Sequence, residues 1–297
     1  MSLFAFLGTL EIGLIYGLVA LGVYLTFRIL DFPDLTVDGS FPMGGAVAAT
    51  AIVAGINPWL ATILATFAGS CCGLITAFLA VRCGILHLLA SILTMIAAFS
   101  INIRIMGRPN MALLGEPTIF TSFENLGLDQ LHVHLGIVFL LVFFLSVFII
   151  RLLSSDFGLG LRATGVNDRM VAAQGGNIGF YTYFGLALSN GLVGFAGALF
   201  AQSNSFADVT SGVGTIVVGL AAVILGQTLL SSPKIWVSVV AVIVGSILYR
   251  LAVAFALSTG MFGMQASDLN FITAVLVAIA LVIPKMKAKI RLKSVRN

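Results

Sequence analysis

The chain has 297 residues, 60% of them hydrophobic and only 9% charged, with 15 Lys and Arg against 11 Asp and Glu for a net charge of +4. Soluble domains carry about 25% charged residues; a chain of mean hydropathy +1.13 cannot cover its apolar side chains with so few, which excludes a soluble fold and leaves an integral membrane protein. The positive charge is no nucleic-acid footprint either, because six of the 15 basic residues fall in PKMKAKIRLKSVR, residues 284–296, a juxtamembrane tail.

The apolar runs are long and continuous rather than alternating, so helices and not barrel strands cross the bilayer. Met1 and Ser2 lead straight into apolar sequence with no basic n-region, so no secretory signal peptide is expected. A span needs about 20 apolar residues. In chain order the candidates are 4–27, a shorter run at 41–56, then 58–81, 85–103, 135–150, 178–201, 213–230, 235–257 and 269–283, with a mixed loop at 104–134 and a glycine-rich polar segment at 151–177. The expectation is an all-α polytopic membrane protein of about nine transmembrane helices (eight to ten), one transmembrane domain over residues 1–297, with a short cytoplasmic helix. Excess Lys and Arg mark cytoplasmic loops. Placing the tail inside puts Lys234, Arg169, Arg162, Arg151, Arg82 and Arg28 in the cytoplasm, and the N-terminus and the loops at 202–212 and 258–268 outside. Arg104 and Arg108, on the outer loop, are the exception.

RILDFPDLTVDGSFPMGG, residues 28–45, concentrates Asp31, Asp34 and Asp38 between apolar runs. Each Asp facing lipid at a helix centre costs about 2.5–3.5 kcal/mol, so the three lie on a loop or in a protein-lined cavity. Pro33 and Pro42 support a break. Asp38-Gly39-Ser40 reads as a turn with Ser40 as N-cap of a helix ending near Gly55. Some 15 residues reach only about 23 Å, so this helix is expected to begin below the membrane surface. Two readings stand: a solvated cytoplasmic turn with Arg28 paired to Asp31, or part of a transport path or its gate.

In GLGLRATGVNDRMVAAQGGN, residues 158–177, Asn167 is a good N-cap, Asp168 suits a helix N-terminus, and Gly175 and Gly176 stop the helix. A two-turn helix with Met170, Val171 and Ala173 as apolar contacts is more than a connection needs, and reads as a docking helix for a cytoplasmic partner, with an ordinary surface helix as the alternative.

The remaining polar residues are weaker signals. Glu11 lies inside the first span and either faces a path or bonds a neighbouring helix. Ser189 and Asn190 sit among glycines 185, 191, 194 and 197, which suit close helix approach; Asn190 is also a path candidate, as is Asn102 at the outer end of the fourth span. Arg104 and Arg108 suit either an acidic partner surface or lipid head groups, and Arg250 suits snorkelling. His132 and His134 lack companion ligands and Cys71, Cys72 and Cys83 lack ligand spacing, so no metal is expected and the cysteines read as packing residues. No H-E-x-x-H or G-x-S-x-G motif occurs, nor a G-x-x-x-x-G-K-[ST] phosphate loop, so no catalysis and no ATP chemistry is expected in this chain.

LRATGVNDRMVAAQGGN, followed by the small-residue helix FGLALSNGLVGFAGALFAQ, resembles the coupling-helix region of ABC importer permeases of the ribose and branched-chain amino acid type. DLTVDGS at 34–40 and GLAAVILGQTLL at 219–230 are similar to further segments of that family, in the same order, and RILDFPDLTVDGS looks like its tryptophan-transport subgroup. The resemblance implies a permease subunit of an ATP-driven importer for a small organic solute, possibly an amino acid, with one initial helix fewer than ten-span members. It implies a second permease copy, two cytoplasmic ATPase subunits that carry ATP and Mg, and an extracytoplasmic binding protein, all in the cell (inner) membrane with the C-terminus cytoplasmic. Residues Ala163, Thr164, Gly165, Val166, Asn167, Asp168, Arg169, Met170 and Ala173 would contact the ATPase. Glu11, Asp34, Asp38, Ser40, Asn102 and Asn190 are candidates for the path, and Arg104 and Arg108 for binding-protein docking. The rival reading is an ion-coupled secondary transporter using Glu11 with Asp31, Asp34 and Asp38.

Overall fold

Inside a bilayer every backbone amide must find its partner within the chain, and the apolar runs do so as helices. A computed structural model describes residues 3–124 and 130–258. Helix α1 (Leu3–Val23) ends in a π-helical turn, Tyr24–Ile29. Short α2 (Val37–Val53) is followed by α3 (Pro58–Ala77), which also ends in a π turn, Phe78–Arg82, and by α4 (His87–Met106). Strand β1 (Asn110–Ala112) and α5 (Thr121–Glu124) lead to α6 (Gln130–Ser154), α7 (Asp156–Val166) and α8 (Asp168–Ala173). Then come α9 (Ile178–Asn204), β2 (Phe206–Asp208), a 3-10 turn (Val209–Gly212), α10 (Thr215–Leu229) and α11 (Ile235–Ser258).

Seven helices among the described residues are long and apolar enough to cross a membrane, and α2 is a shorter apolar helix. These are eight of the nine expected runs; the run at 269–283 and the basic tail lie outside the described residues. β1 and β2 pair antiparallel, Met111 opposite Ala207, and clasp the loops after α4 and α9.

The two π turns share one pattern. Leu30 N donates to Leu25 O and Phe32 N to Thr26 O, as Cys83 N does to Phe78 O and Ile85 N to Leu79 O. Between each pair of donors the chain turns through positive φ, at Asp31 (53°) and at Gly84 (68°). Asp31 thus occupies a conformation that glycine adopts freely and other residues adopt at a cost of order 1 kcal/mol.

Helix α9 is the central pillar, packed on α1, α2 and α3. Its contacts are backbone to backbone: a Cβ on Gly44 would strike Gly194 O, one on Gly73 would strike Leu186 O, and one on Gly197 would strike Phe41 O. Hydroxyls tie the same layer. Ser189 Oγ donates to Gly22 O at 2.8 Å, and Ser246 Oγ to Gly13 O at 2.8 Å, joining α9 and α11 to α1. The small residues around Asn190 therefore pack helices, as their spacing predicted.

The segment 151–177 departs from expectation. Helix α6 runs on to Ser154, and an 11-residue helix, α7, occupies the glycine-rich stretch. The reason is contact: the glycines there are points of close approach, Gly158 to Leu152 O, Gly160 to the Tyr181 hydroxyl and Gly165 to Ile29 O, rather than helix breakers. Likewise 104–134 is not all loop, since α6 begins at Gln130. The Arg250 guanidinium lies over the Tyr16 ring, 3.7 Å from the centroid.

Close packing of this kind is sensitive to one methyl group. Gly197→Ala should lower stability by about 1–3 kcal/mol, read as an earlier thermal transition in detergent, whereas Gly8→Ala, whose Cβ meets nothing within 4 Å, should leave it unchanged.

Candidate functional site: a broken helix pair and an exposed helix at one end

The three aspartates of residues 31–38 occupy three environments. Asp31 is exposed at the π turn, Asp34 is fully buried, and Asp38 is half-buried on the first turn of α2. No ion pair joins Arg28 to Asp31 among the described residues, so they do not form the self-contained surface turn that was one reading.

Asp34 organises the break. Its Oδ1 accepts from Thr36 N at 2.9 Å and its Oδ2 from Asn190 Nδ2 at 2.7 Å. Asn190 Oδ1 in turn accepts from Ser40 Oγ at 2.6 Å, and the Thr36 and Thr76 hydroxyls share a bond of 2.6 Å. Three predicted residues, Asp34, Ser40 and Asn190, thus meet in one buried network that crosslinks the break, α2, α3 and α9. Thr36 and Thr76 were missed, because a threonine in an apolar run carries no signal of its own. Ser40 is corrected in role. It is not the N-cap: α2 begins at Val37, and the turn into it is held by Asp34 closing on Thr36 N.

Depth follows from α9. Asn190 lies 12 residues after Ile178 and 14 before Asn204, or about 18 and 21 Å at 1.5 Å per residue. The network therefore sits near the middle of the α9 span, and α2 starts there rather than level with the end of α9.

Asp38 makes a second junction. Its Oδ1 accepts from Ile216 N at 2.7 Å and its Oδ2 from Gly214 N at 3.2 Å. It thus caps the N-terminus of α10, whose own N-cap, Gly214, has no side chain. Pro42 carries no amide hydrogen for the Asp38 carbonyl, and Gly212 packs against that oxygen. Two helix N-termini therefore meet at depth, the arrangement by which transporters line a path. Asn102 reaches this region from α4; its Nδ2 lies 3.4 Å from Gly39 O, and its buried Oδ1 has no hydrogen-bond partner among the described residues. Asp38, Gly39 and Pro42 with Met95, Ile96, Phe99 and Ser100 of α4 and Val209 and Val213 line a cavity of about 300 Å³.

Glu11 stands apart. It is buried, accepts from Ser203 Oγ at 2.6 Å and lies 3.6 Å from His134 Nδ1, which ties α1 to α9 and α6 at the β1–β2 end of the molecule. Of its two readings, the helix-bonding one describes its contacts. The His134 ring stacks on Phe120, centroids 4.3 Å apart.

At the opposite end Asn167 is the predicted N-cap: its Oδ1 accepts from Met170 N at 3.0 Å and its backbone is extended. Ala163, Thr164, Gly165 and Val166 are the last turn of α7, with Asp168, Arg169, Met170 and Ala173 on α8. Val166 and Met170 are exposed at 84% and 45%, but Val171 is buried and is not an apolar contact for a partner. Gly165 rests on Ile29 O, the last residue of the first π turn. Between them opens a cleft of about 490 Å³ lined in part by Asp31, His87, Gly165 and Asn167, where the His87 ring stacks on Phe32 at 4.3 Å.

Arg104 and Arg108 are exposed at the end of α4, beside the β clasp. There Asp208 is half-buried. Burial works against its ionisation, but bonds from the Thr210 hydroxyl and amide, both 2.6 Å, and from Asn110 Nδ2 at 3.2 Å outweigh it and hold the carboxyl below its ordinary value.

A polytopic helical protein with helix starts at mid-depth and an exposed helix at one end is a membrane transport subunit in form. Residues 5–282 match the family described as branched-chain amino acid transport system, permease component, and the chain belongs to that family of ABC importer permeases; it is a multi-pass membrane transport subunit, not an enzyme. It is 39% identical over 264 residues, 89% of this chain and 86% of the relative, to a tyrosine transport system permease protein of Clostridioides difficile. It is 26% identical over 285 residues, 91% of this chain and 90% of the relative, to a probable branched-chain amino acid transport permease protein, LivH, of Methanocaldococcus jannaschii. The fold is similar to that in a solved structure of PsaBC from Streptococcus pneumoniae in complex with Fab, at a TM-score of 0.53 and 15% identity, covering 94% of this chain and 91% of that one.

Replacing Asn190 by Leu leaves Asp34 Oδ2 without its donor and Ser40 Oγ with only its bond to Thr36 O, and an unsatisfied buried group costs about 1–3 kcal/mol. Asn190→Leu should therefore destabilise the purified protein more than Asn204→Leu at the helix end, by thermal unfolding in detergent. For Asp208 the sign is set by its lowered pKa: its contribution is complete above the unfolded value near about 3.9 and is lost as pH falls through the lower folded value. Hydrogen exchange at residues 206–214 should accelerate in that acid window, and Asp208→Asn should remove the dependence.

Proposed function

We propose that this chain is the membrane subunit of a binding-protein-dependent, ATP-driven importer of an amino acid, forming one permease domain that pairs with a second copy of itself. The observation that carries the reading is the lever at one end. An exposed helix, α8, capped by Asn167, is joined through Gly165 to the carbonyl of Ile29, and from there residues 30–36 lead directly to the Asp34–Asn190 network. A push on α8 is thereby delivered to the broken segment at mid-depth without passing through a flexible loop.

Two ATPase subunits, holding ATP and Mg, dock on Val166, Met170 and Ala173, with Asp168 and Arg169 on the polar rim. Their closure moves α7 and α8 against the π turn and switches the path between outward-facing and inward-facing. Basic residues gathered at the lever end make that side, and the C-terminus with it, cytoplasmic. Arg104 and Arg108 at the other end steer an acidic surface of an extracytoplasmic binding protein. An aromatic amino acid is the leading solute, because the 39% identical relative is named for tyrosine transport. The ion-coupled alternative needs a chain of carboxylates. Glu11 is bonded to Ser203 at the outer end, Asp34 is enclosed in its network at mid-depth, Asp38 is bonded to the α10 amides, and Asp31 lies near the inner surface, so no such chain forms among the described residues.

Met170→Asp combined with Ala173→Asp should abolish co-purification of an ATPase, while the single variant Gly165→Leu should retain the ATPase and its hydrolysis but reduce uptake about tenfold or more, since bulk at Gly165 must displace Ile29 O. Uptake that follows an ion gradient with no ATPase bound to the unmodified chain would contradict the proposal.

A further inference from the structure

We propose that the cavity between α2, α4 and the 209–213 turn is the solute site, and that it takes a primary ammonium on Asp38 with an apolar side chain against Met95, Ile96 and Phe99. The inference rests on the importer reading above and names its site and the chemistry of its solute.

Three observations converge on it. The cavity holds about 300 Å³, at the lower end of the range of about 300–1,000 Å³ for small-molecule sites. It lies at the mid-depth junction, because Asp38 is on the same turn of α2 as Ser40, which bonds Asn190 halfway along α9. It also holds a carboxylate that cannot border lipid. Asp38 is half-buried, and an Asp facing the hydrocarbon core costs about 2.5–3.5 kcal/mol, whereas the α4 wall of the cavity is open: Ile96 and Phe99 are 58% and 45% exposed and Val213 is 70% exposed. A face that bears a carboxylate at this depth fits an aqueous path better than hydrocarbon.

The sign of the site selects its ligand. The α10 amides of Gly214 and Ile216 already donate to Asp38, and the first-turn amides of Asp38, Gly39 and Ser40 donate to Leu35 O and Thr36 O. These amides are thereby engaged within the chain, and the charged side chain that lines the cavity is a carboxylate. A carboxylate accepts about four hydrogen bonds, so Asp38 has capacity for an ammonium beyond its two amides. The rest of the wall is apolar except for Ser100, which suits an apolar or aromatic side chain.

The test uses the assembled transporter in cells, with L-tyrosine, L-phenylalanine and L-leucine as probes. Asp38→Asn keeps an oxygen for the α10 amides and removes the charge; Ser100→Trp fills the cavity and leaves the cap intact. Both should keep the ATPase bound and hydrolysing and lower uptake about tenfold or more, the loss of a charge-assisted bond in the first case. A solute-independent arm places Ser100→Cys in a background with Cys71, Cys72 and Cys83 replaced by Ser. Cationic methanethiosulfonate should label the Ser100→Cys variant faster than the anionic reagent, and Asp38→Asn should erase the preference. Normal uptake by Asp38→Asn or Ser100→Trp, or a Ser100→Cys variant that neither reagent labels, overturns the site while leaving the importer reading in place. Absence of ATP-dependent uptake of all three amino acids by the unmodified system overturns both.

Discussion

The backbone contact of α9 with α2 and α3 is the constraint on which the rest depends. In lipid there is no hydrophobic force between helices, so association relies on close packing and interhelical hydrogen bonds. Gly44, Gly73 and Gly197 bring the backbones together, and that approach places Asn190 where it can bridge Asp34 and Ser40. A carboxylate and a non-helical segment can then be held at mid-depth, since each polar group there has a partner.

This arrangement joins two structural devices. One is the pair of helix starts, α2 and α10, locked together by Asp38 across 176 and 178 residues of sequence to Gly214 and Ile216. The other is the repeated π turn at the ends of α1 and α3. A π turn is a point where a helix absorbs an extra residue, and here the first of them carries the contact with Gly165.

The polar groups divide by what they hold. Glu11, Ser203 and His134 brace the β1–β2 end, as does Gln202, which accepts from Ile119 N and donates to Thr62. Asp34 and Asn190 brace the middle. Asp38 borders the cavity, and Val166 and Met170 face outward. Only the last two groups are arranged to meet something outside the chain, which is why they carry the proposals for solute and partner.

Much of this was legible in the residues themselves. Continuous apolar runs fix helices as the spanning element, because the bilayer permits no other for such a pattern. Asn167 announced α8, since capping is a local interaction spanning three residues. The shortness of α2 was also local, set by Asp and Pro before it and Gly55 after it. Tertiary structure alone decided the rest. Nothing in the string DLTVDGS says that Asp34 closes a turn onto Thr36 and bonds Asn190, that Asp38 caps a helix far along the chain, or that Ser40 lies inside α2 rather than before it. Glycines at 158, 160 and 165 look like helix breakers until the neighbours that require them are present. Periodicity and capping act within a turn or two of chain, and so can be read in sequence; the partner of a buried polar group is set by which helix is laid against it, and that is known only when all of them are packed.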